Sequence, residues 1–119
     1  MNSARLPVLI LPSPWGVGLM LGLIDSRPHA HECPPGDYRV YQTGADGDIA
    51  AALARLVAVA RERRRPHPCR QAPWPAFLPG EVGLVEVLDC RREEDLFTFQ
   101  LVLANPRPAW VEGKGRAAA

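Results

Sequence analysis

The first half of the chain alternates between short apolar runs and a helical repeat of apolar residues. Residues 6–11 form an apolar run bounded by proline, which predicts a buried strand. Behind this run, apolar side chains recur at the spacing of one helix face, namely at Trp15, Leu19 and Leu23. We therefore expect a helix that Ser13 caps at its N-terminus and that ends at Pro28.

The clearest helical pattern follows a short strand. Residues 29–37 are rich in proline and predict a loop, whereas residues 38–43 are rich in the aromatic and β-branched side chains that strands favour. A turn over residues 44–47 leads to Asp48, a good N-cap for the next helix. The apolar positions of that helix are Ile49, Leu53, Leu56, Val57 and Ala60. We expect this helix to cover one side of a sheet.

A proline-rich segment and a hairpin occupy most of the second half. Residues 66–80 show no hydrophobic period and predict a long loop. Residues 81–90 and 96–104 predict two strands, because apolar and polar residues alternate in the second and a charged turn at residues 91–95 joins them. These strands form a hairpin with one solvent-exposed face.

The C-terminal part carries weaker signals. Residues 105–108 predict a turn, residues 109–111 a last short strand and residues 113–119 a frayed tail. Five strands, mostly antiparallel, and two helices in this order predict an α+β fold. We expect one domain over residues 1–119, whose sheet curls into a small β-barrel with the two helices on its flanks.

Composition and charge remove several classes of protein. Apolar residues make up 47% of the chain and charged residues 23%, which is typical of folded soluble proteins, and the net charge of +1 does not require a nucleic acid. The uncharged interval between Arg5 and Asp25 is long enough for a membrane segment, but three prolines interrupt it. The three cysteines are too few and too widely spaced for a secreted disulfide scaffold. We therefore expect a cytoplasmic protein that does not bind membranes.

Several short motifs follow one another in an order that a known family shares. They are Pro14-Trp15-Gly16, Gly22, Pro79-Gly80, Val82-Gly83-Leu84-Val85, Asn105-Pro106-Arg107 and Gly113-Lys114. In this order and spacing, over most of the chain, they resemble the ASCH domain, a member of the PUA-like β-barrel superfamily that is linked to RNA. The resemblance implies a small PUA-like barrel with a cleft beside its first helix and with Trp15 near the floor of that cleft.

Some members of this family resemble amidohydrolases that remove acyl groups from modified cytidine with a lysine, a threonine or serine, and a glutamate. Where the family has its lysine, glutamate and arginine, this chain has Ile24, Arg27 and His29. An amide hydrolase needs a nucleophile and an acid or base within hydrogen-bond reach, and Ile24 supplies neither. We therefore expect no catalytic residues, and a divergent acylcytidine amidohydrolase with Thr43 near its pocket is the least favoured alternative.

Histidines and cysteines form two clusters with alternate spacing. The first contains His29, His31 and Cys33, and the second contains His67 and Cys69. Structural zinc sites more often place two residues between paired cysteines, or three to five between paired histidines. We therefore predict neither a metal nor a cofactor, and zinc at these five residues is left open.

A basic run and nearby aromatic residues carry the functional prediction. Guanidinium groups suit phosphates, and aromatic rings suit stacked bases. We expect the protein to bind single-stranded nucleic acid, with RNA favoured, or a modified nucleotide, without catalysis. The predicted contact residues are Trp15, Arg61, Arg63, Arg64, Arg65, Trp74 and Lys114.

Two other interpretations stay open. A basic run of this kind is more often a solvated helix end, where cations favour the helix dipole. The barrel can also have lost its site and present its surface to a protein partner, as an inhibitor or interaction protein of the phage or mobile-element type.

Overall fold

Five strands and a few short helices make up the structure, a computed structural model that describes residues 5–110. The strands are β1 (Val8–Pro12), β2 (Ser26–His29), β3 (Gly36–Thr43), β4 (Gly80–Arg92) and β5 (Phe99–Pro108). The helices are α1 (Trp15–Met20), α2 (Ile49–Glu62), α3 (Pro68–Gln71) and a 3₁₀ helix (Trp74–Phe77).

The strands form one sheet in the order β1-β3-β4-β5-β2. β1 runs parallel to β3, and every other neighbouring pair is antiparallel. The sheet curls into an open half-barrel, in which β1 and β2 are the edges and do not pair with each other. The predicted α+β class and the five-stranded curled sheet are therefore confirmed.

Alternating side chains along the strands build the core in two clusters that share α1. The first lies between the concave face of the sheet and α1, and its members include Leu9, Leu11, Leu19, Met20, Tyr38, Val40, Val85, Val87, Leu101 and Leu103. The second lies between α1, α2 and the 3₁₀ helix, and contains Val17, Leu21, Leu23, Leu56, Ala60, Ala72 and Phe77. Because α1 supplies both clusters, it lies between the sheet and α2, and α2 packs on α1 and the 3₁₀ helix instead of covering the sheet as predicted.

The predicted first helix is too long. α1 ends at Met20, and Gly22 has a φ of +72°, a left-handed conformation that terminates helices. Residues 26–29, predicted as the end of the helix and the start of a loop, instead form β2. Ser13 does not cap α1, because its hydroxyl donates to the Phe77 carbonyl at 2.9 Å.

The second helix begins as predicted. The Asp48 carboxylate accepts a hydrogen bond from the Ala51 N–H at 3.1 Å, which satisfies one of the free donors in the first turn. The predicted loop at residues 66–80 contains α3 and the 3₁₀ helix. The prediction of a plain loop was wrong there because contacts with the core, and not a hydrophobic period, order this segment.

The hairpin is longer than its sequence pattern. The predicted turn at residues 105–108 is wrong, since β5 continues to Pro108 opposite Gly83 of β4. Residues 109–110 form a bend, and the remainder of the predicted last strand and the tail at residues 113–119 lie outside the described residues. None of the helices within residues 5–110 is long and apolar enough to span a membrane.

Candidate functional site

The two edges of the half-barrel face a common cavity, which we call the edge cleft. Its volume of about 710 Å³ lies within the range of small-molecule sites, about 300–1,000 Å³. Strands β1 and β2 line it together with the segment that follows β2. The lining residues that concern the site are Val8, Ile10, Arg27, Pro28, His29, His31, Cys33 and Asp46.

Strand β1 turns unpaired peptide groups toward this cleft. The Arg39 N–H donates to the Pro7 carbonyl, and the Ser13 N–H donates to the Thr43 carbonyl, both at 2.9 Å. In a parallel ladder, alternate residues bond to the neighbour, so the peptide groups of Val8 and Ile10 point away from β3. Within residues 5–110 no hydrogen bond reaches them. The edge therefore offers donors and acceptors to a ligand.

Strand β2 offers fewer such groups. The Leu103 N–H donates to the Asp25 carbonyl at 2.8 Å, which sets the phase of the β2–β5 ladder. By that phase, the backbone groups of Ser26 and Pro28 point away from β5. Pro28 has no N–H, and proline is typical of an edge strand for this reason. The edge cleft is thus lined unequally, with the richer set of hydrogen-bonding groups on β1.

At the edge cleft, Arg27 lies on the ring of Trp15 and near the carboxylate of Asp46. The Arg27 guanidinium carbon is 5.3 Å from the centroid of the Trp15 ring, within the range of a cation–π contact. Burial lowers the pKa of Arg27, and the Asp46 carboxylate opposes that shift. Arg27 and Asp46 both line the edge cleft, so a half-buried cation, a carboxylate and an indole ring converge there.

Trp15 also forms the wall of a second, smaller cavity at the start of α2. This helix pocket has a volume of about 240 Å³. Asp46 belongs to both cavities, so the two adjoin at this carboxylate. The other lining residues that carry charge are Asp48 and Arg55. The prediction of a cleft beside Trp15 fits this arrangement.

The basic run lies at the opposite end of α2. The helix has 14 residues and is therefore about 20 Å long. Arg63 donates to the Gly22 carbonyl and Arg65 to the Leu21 carbonyl. Arg61 and Arg64 are exposed. The structure therefore does not bring the predicted arginines together with Trp15, and two of them bind backbone atoms.

The second predicted stacking residue lies away from both cavities. Trp74 is 72% exposed and stacks on Phe77, with ring centroids 6.2 Å apart and an angle of 26° between the rings. The buried Gln42 amide holds this 3₁₀ helix by donating to the Ala76 carbonyl at 2.7 Å. Trp74 lines neither cavity. Lys114 lies outside the described residues.

The histidines and cysteines stay in two separate places. The Cys33 sulfur lies 3.9 Å from His29 Nδ1. His67 caps α3 by accepting from the Cys69 N–H at 3.1 Å. In the part of the chain that the structure describes, no group of three or more His, Cys, Asp or Glu side chains is placed to hold a metal ion.

The positions that correspond to the hydrolase residues do not form a reactive group. Ile24 packs against both core clusters, and the Thr43 hydroxyl donates to the Gly44 carbonyl at 3.4 Å. Asp46 and the β1 edge, in contrast, were absent from the predicted site. Asp46 lies in an ordinary turn sequence, and an open strand edge has no signature in the residues that form it. Only the curl of the sheet brings these groups to one cleft.

Comparison of the chain with protein-family models and with curated proteins finds no match.

Proposed function

We propose that the protein binds a nucleotide, or a short single-stranded nucleic acid with RNA favoured, in the edge cleft and without catalysis. One observation carries the proposal: the Arg27 guanidinium is held on the Trp15 ring beside Asp46 in an open cleft. A planar guanidinium held in this way can stack on a base and donate to phosphate or base oxygens.

The β1 edge supports the same ligand class. Val8 and Ile10 direct peptide N–H and carbonyl groups to the cleft, and their side chains are 43% and 54% exposed. Nucleobases present donors and acceptors along one edge and an apolar face, so this surface suits a base lying flat against the strand. The ASCH resemblance points to the same chemistry, whereas the basic run led the sequence prediction to the arginines at the end of α2 instead of Arg27.

The proposal gives the arginines of α2 a smaller role than the sequence predicted. Arg63 and Arg65 are engaged with carbonyl groups, which leaves Arg61 and Arg64 as the exposed members of the run without such a bond to α1's end. Contacts from these two residues would be to phosphates of a longer strand, because they lie at the end of α2 opposite the helix pocket. A mononucleotide in the cleft would not reach them.

Fluorescence anisotropy with labelled RNA and DNA oligomers at low salt tests the proposal, with nucleoside monophosphates as competitors. We expect Arg27→Gln to lower affinity at least about tenfold, which corresponds to about 1.4 kcal/mol. Arg91→Gln is the matched control, because Arg91 is exposed on the β4 hairpin arm. Undetectable binding at low salt, where phosphate contacts are strongest, or equal affinity of both variants, would refute the proposal.

A second candidate function rests on the same β1 edge. An open strand with free peptide groups is a template for an added strand, so an extended peptide of a protein partner can bind by β-augmentation. Ile10→Lys would repel an apolar partner side chain at a position that is already exposed. Stoichiometric capture of one protein that Ile10→Lys abolishes and Arg27→Gln leaves intact would favour this function over nucleotide binding.

A further inference from the structure

Cys33 and Cys90 meet where the β3–β4 ladder ends. The last pair of that ladder is Gly36 opposite Val87, and Cys33 and Cys90 each lie three residues beyond it. A hydrogen bond joins them, since the Cys33 N–H donates to the Cys90 sulfur at 3.4 Å. The two residues are 57 positions apart in sequence, so only the fold makes them neighbours.

The hydrogen bond places the Cys90 sulfur against the Cys33 backbone. A disulfide needs two cysteines whose Cα atoms lie about 4.4–6.8 Å apart, and this contact brings the two residues together. Both side chains belong to the core cluster under the sheet, Cys33 as a buried member and Cys90 packed against it. Both are free thiols, so the pair is available for oxidation.

The surroundings make the two thiols unequal. Cys33 is only 7% exposed, and burial raises its pKa, with a further rise from Cys90. Cys90 is half-buried and therefore more accessible to an oxidant. The Cys33 thiol donates to the His31 carbonyl at 3.7 Å, and His29 Nδ1, which accepts from the His31 N–H at 3.2 Å, lies 3.9 Å from the Cys33 sulfur. Cys90 is thus suited to react first, and Cys33 to complete the bond.

We propose that Cys33 and Cys90 form a reversible disulfide when the protein meets a hydroperoxide. The Cys90 thiolate attacks the peroxide oxygen, the O–O bond breaks, and an alcohol, or water from hydrogen peroxide, leaves. The Cys33 thiol then gives its proton to solvent, attacks the Cys90 sulfenic sulfur and expels water. The two thiols together lose two electrons and two protons, and these reduce the peroxide.

The bond would act on the wall of the edge cleft. Cys33 lines that cleft and ends the segment that leads from β2, whereas Cys90 belongs to the longest strand of the sheet. A disulfide between them fastens this wall to β4. The consequence for ligand affinity rests on the proposed function, whereas formation of the bond itself does not.

Intact-mass measurement tests the bond without any ligand. Cys69 is an exposed free cysteine, so the experiment uses Cys69→Ser to remove this third thiol. After treatment with hydrogen peroxide, we expect the monomer to lose two hydrogen atoms and both titratable thiols, and dithiothreitol to restore them. We also expect a higher Tm for the oxidised monomer, because the bond closes a long loop of the unfolded chain.

Peptide mapping after digestion at acidic pH gives a readout that needs no further variant. A linked peptide containing Cys33 and Cys90 supports the proposal. Cys33→Ser and Cys90→Ser, each combined with Cys69→Ser, serve as controls. The monomers of these variants should not lose two hydrogen atoms in the intact-mass measurement. Added oxygen without loss of the two hydrogen atoms, or disulfides formed only between chains, would overturn the proposal and would leave the nucleotide proposal standing.

Discussion

The guanidinium of Arg65 donates a hydrogen bond to the carbonyl oxygen of Leu21, the C-cap residue of helix α1. Arg63 binds the next carbonyl, that of Gly22. The last carbonyl groups of a helix lack partners within it, and α1 has only six residues. Two arginines of α2 therefore stabilise the end of α1, where their charge also favours the helix dipole.

Replacing Arg65 should therefore weaken the fold itself. We expect Arg65→Ala to lower the free energy of unfolding by about 1–2 kcal/mol, because a charged hydrogen bond to the Leu21 carbonyl is lost. Arg61→Ala is the matched control on the same basic run and should change stability by less than about 0.5 kcal/mol. Urea denaturation measures both. Equal stability of the two variants would show that the Arg65 contact contributes nothing.

Arg64 adopts a backbone conformation that suits glycine. Its φ is 56°, and the Arg65 N–H donates to the Ala60 carbonyl at 2.7 Å, the pattern of a helix that ends with a left-handed residue. We expect Arg64→Gly to raise the free energy of unfolding by about 1 kcal/mol. Arg61→Gly, inside the last turn of α2, should lower it by about 1 kcal/mol. A loss of stability in Arg64→Gly would contradict this account of the helix end.

Gly83 of β4 allows strand β5 and helix α1 to approach closely. It has a φ of +153°, and a Cβ there would overlap the Arg107 carbonyl oxygen and the Met20 sulfur. Because one of these atoms belongs to the backbone of β5, repacking cannot relieve the overlap. We expect Gly83→Ala to destabilise the protein by about 3 kcal/mol or more. Gly44→Ala, which meets no atom within 4 Å, should be nearly neutral in thermal unfolding.

Gln42 is fully buried, so a charge introduced at its position should lower the stability of the protein. Its side-chain oxygen accepts from the Val17 N–H at 3.0 Å, and its nitrogen donates to the Ala76 and Leu78 carbonyls at 2.7 and 3.3 Å. In Gln42→Glu, an ionised carboxylate would face both carbonyls without a proton to donate. We expect a loss of about 3 kcal/mol or more at pH 7.

The burial of position 42 determines whether the stability of Gln42→Glu rises or falls with pH. Burial raises the folded-state pKa of a carboxyl at position 42 above its unfolded value of about 4.3. The variant is therefore most stable, relative to the native protein, below that unfolded value, and loses stability as the pH rises through the folded pKa. Gln42→Met has no ionisable group at this position and should show the same deficit at every pH. A Gln42→Glu deficit that does not change with pH would refute the argument.

Elements set by neighbouring residues were predictable from the sequence. The Asp48 cap and the helix itself depend on contacts within a few residues, and both occur where the pattern indicated, although Leu56 and Ala60 are the buried members of the predicted apolar face and Ile49 is exposed. β2 was not predictable in this way, because Ser26–His29 contains a proline and no strand pattern. It is a strand because β5 supplies its hydrogen bonds, from residues 70 or more positions away.

The sequence by itself determined the α+β class, the hairpin and the residue types available for binding, because propensity, caps and alternation act locally. Only the tertiary structure decided which of those residues meet. Arg27 reaches Trp15, and Cys33 reaches Cys90, through the register and curl of the sheet. The same holds for the basic run at the end of α2. The position of α1 brings Arg63 to the Gly22 carbonyl and Arg65 to the Leu21 carbonyl.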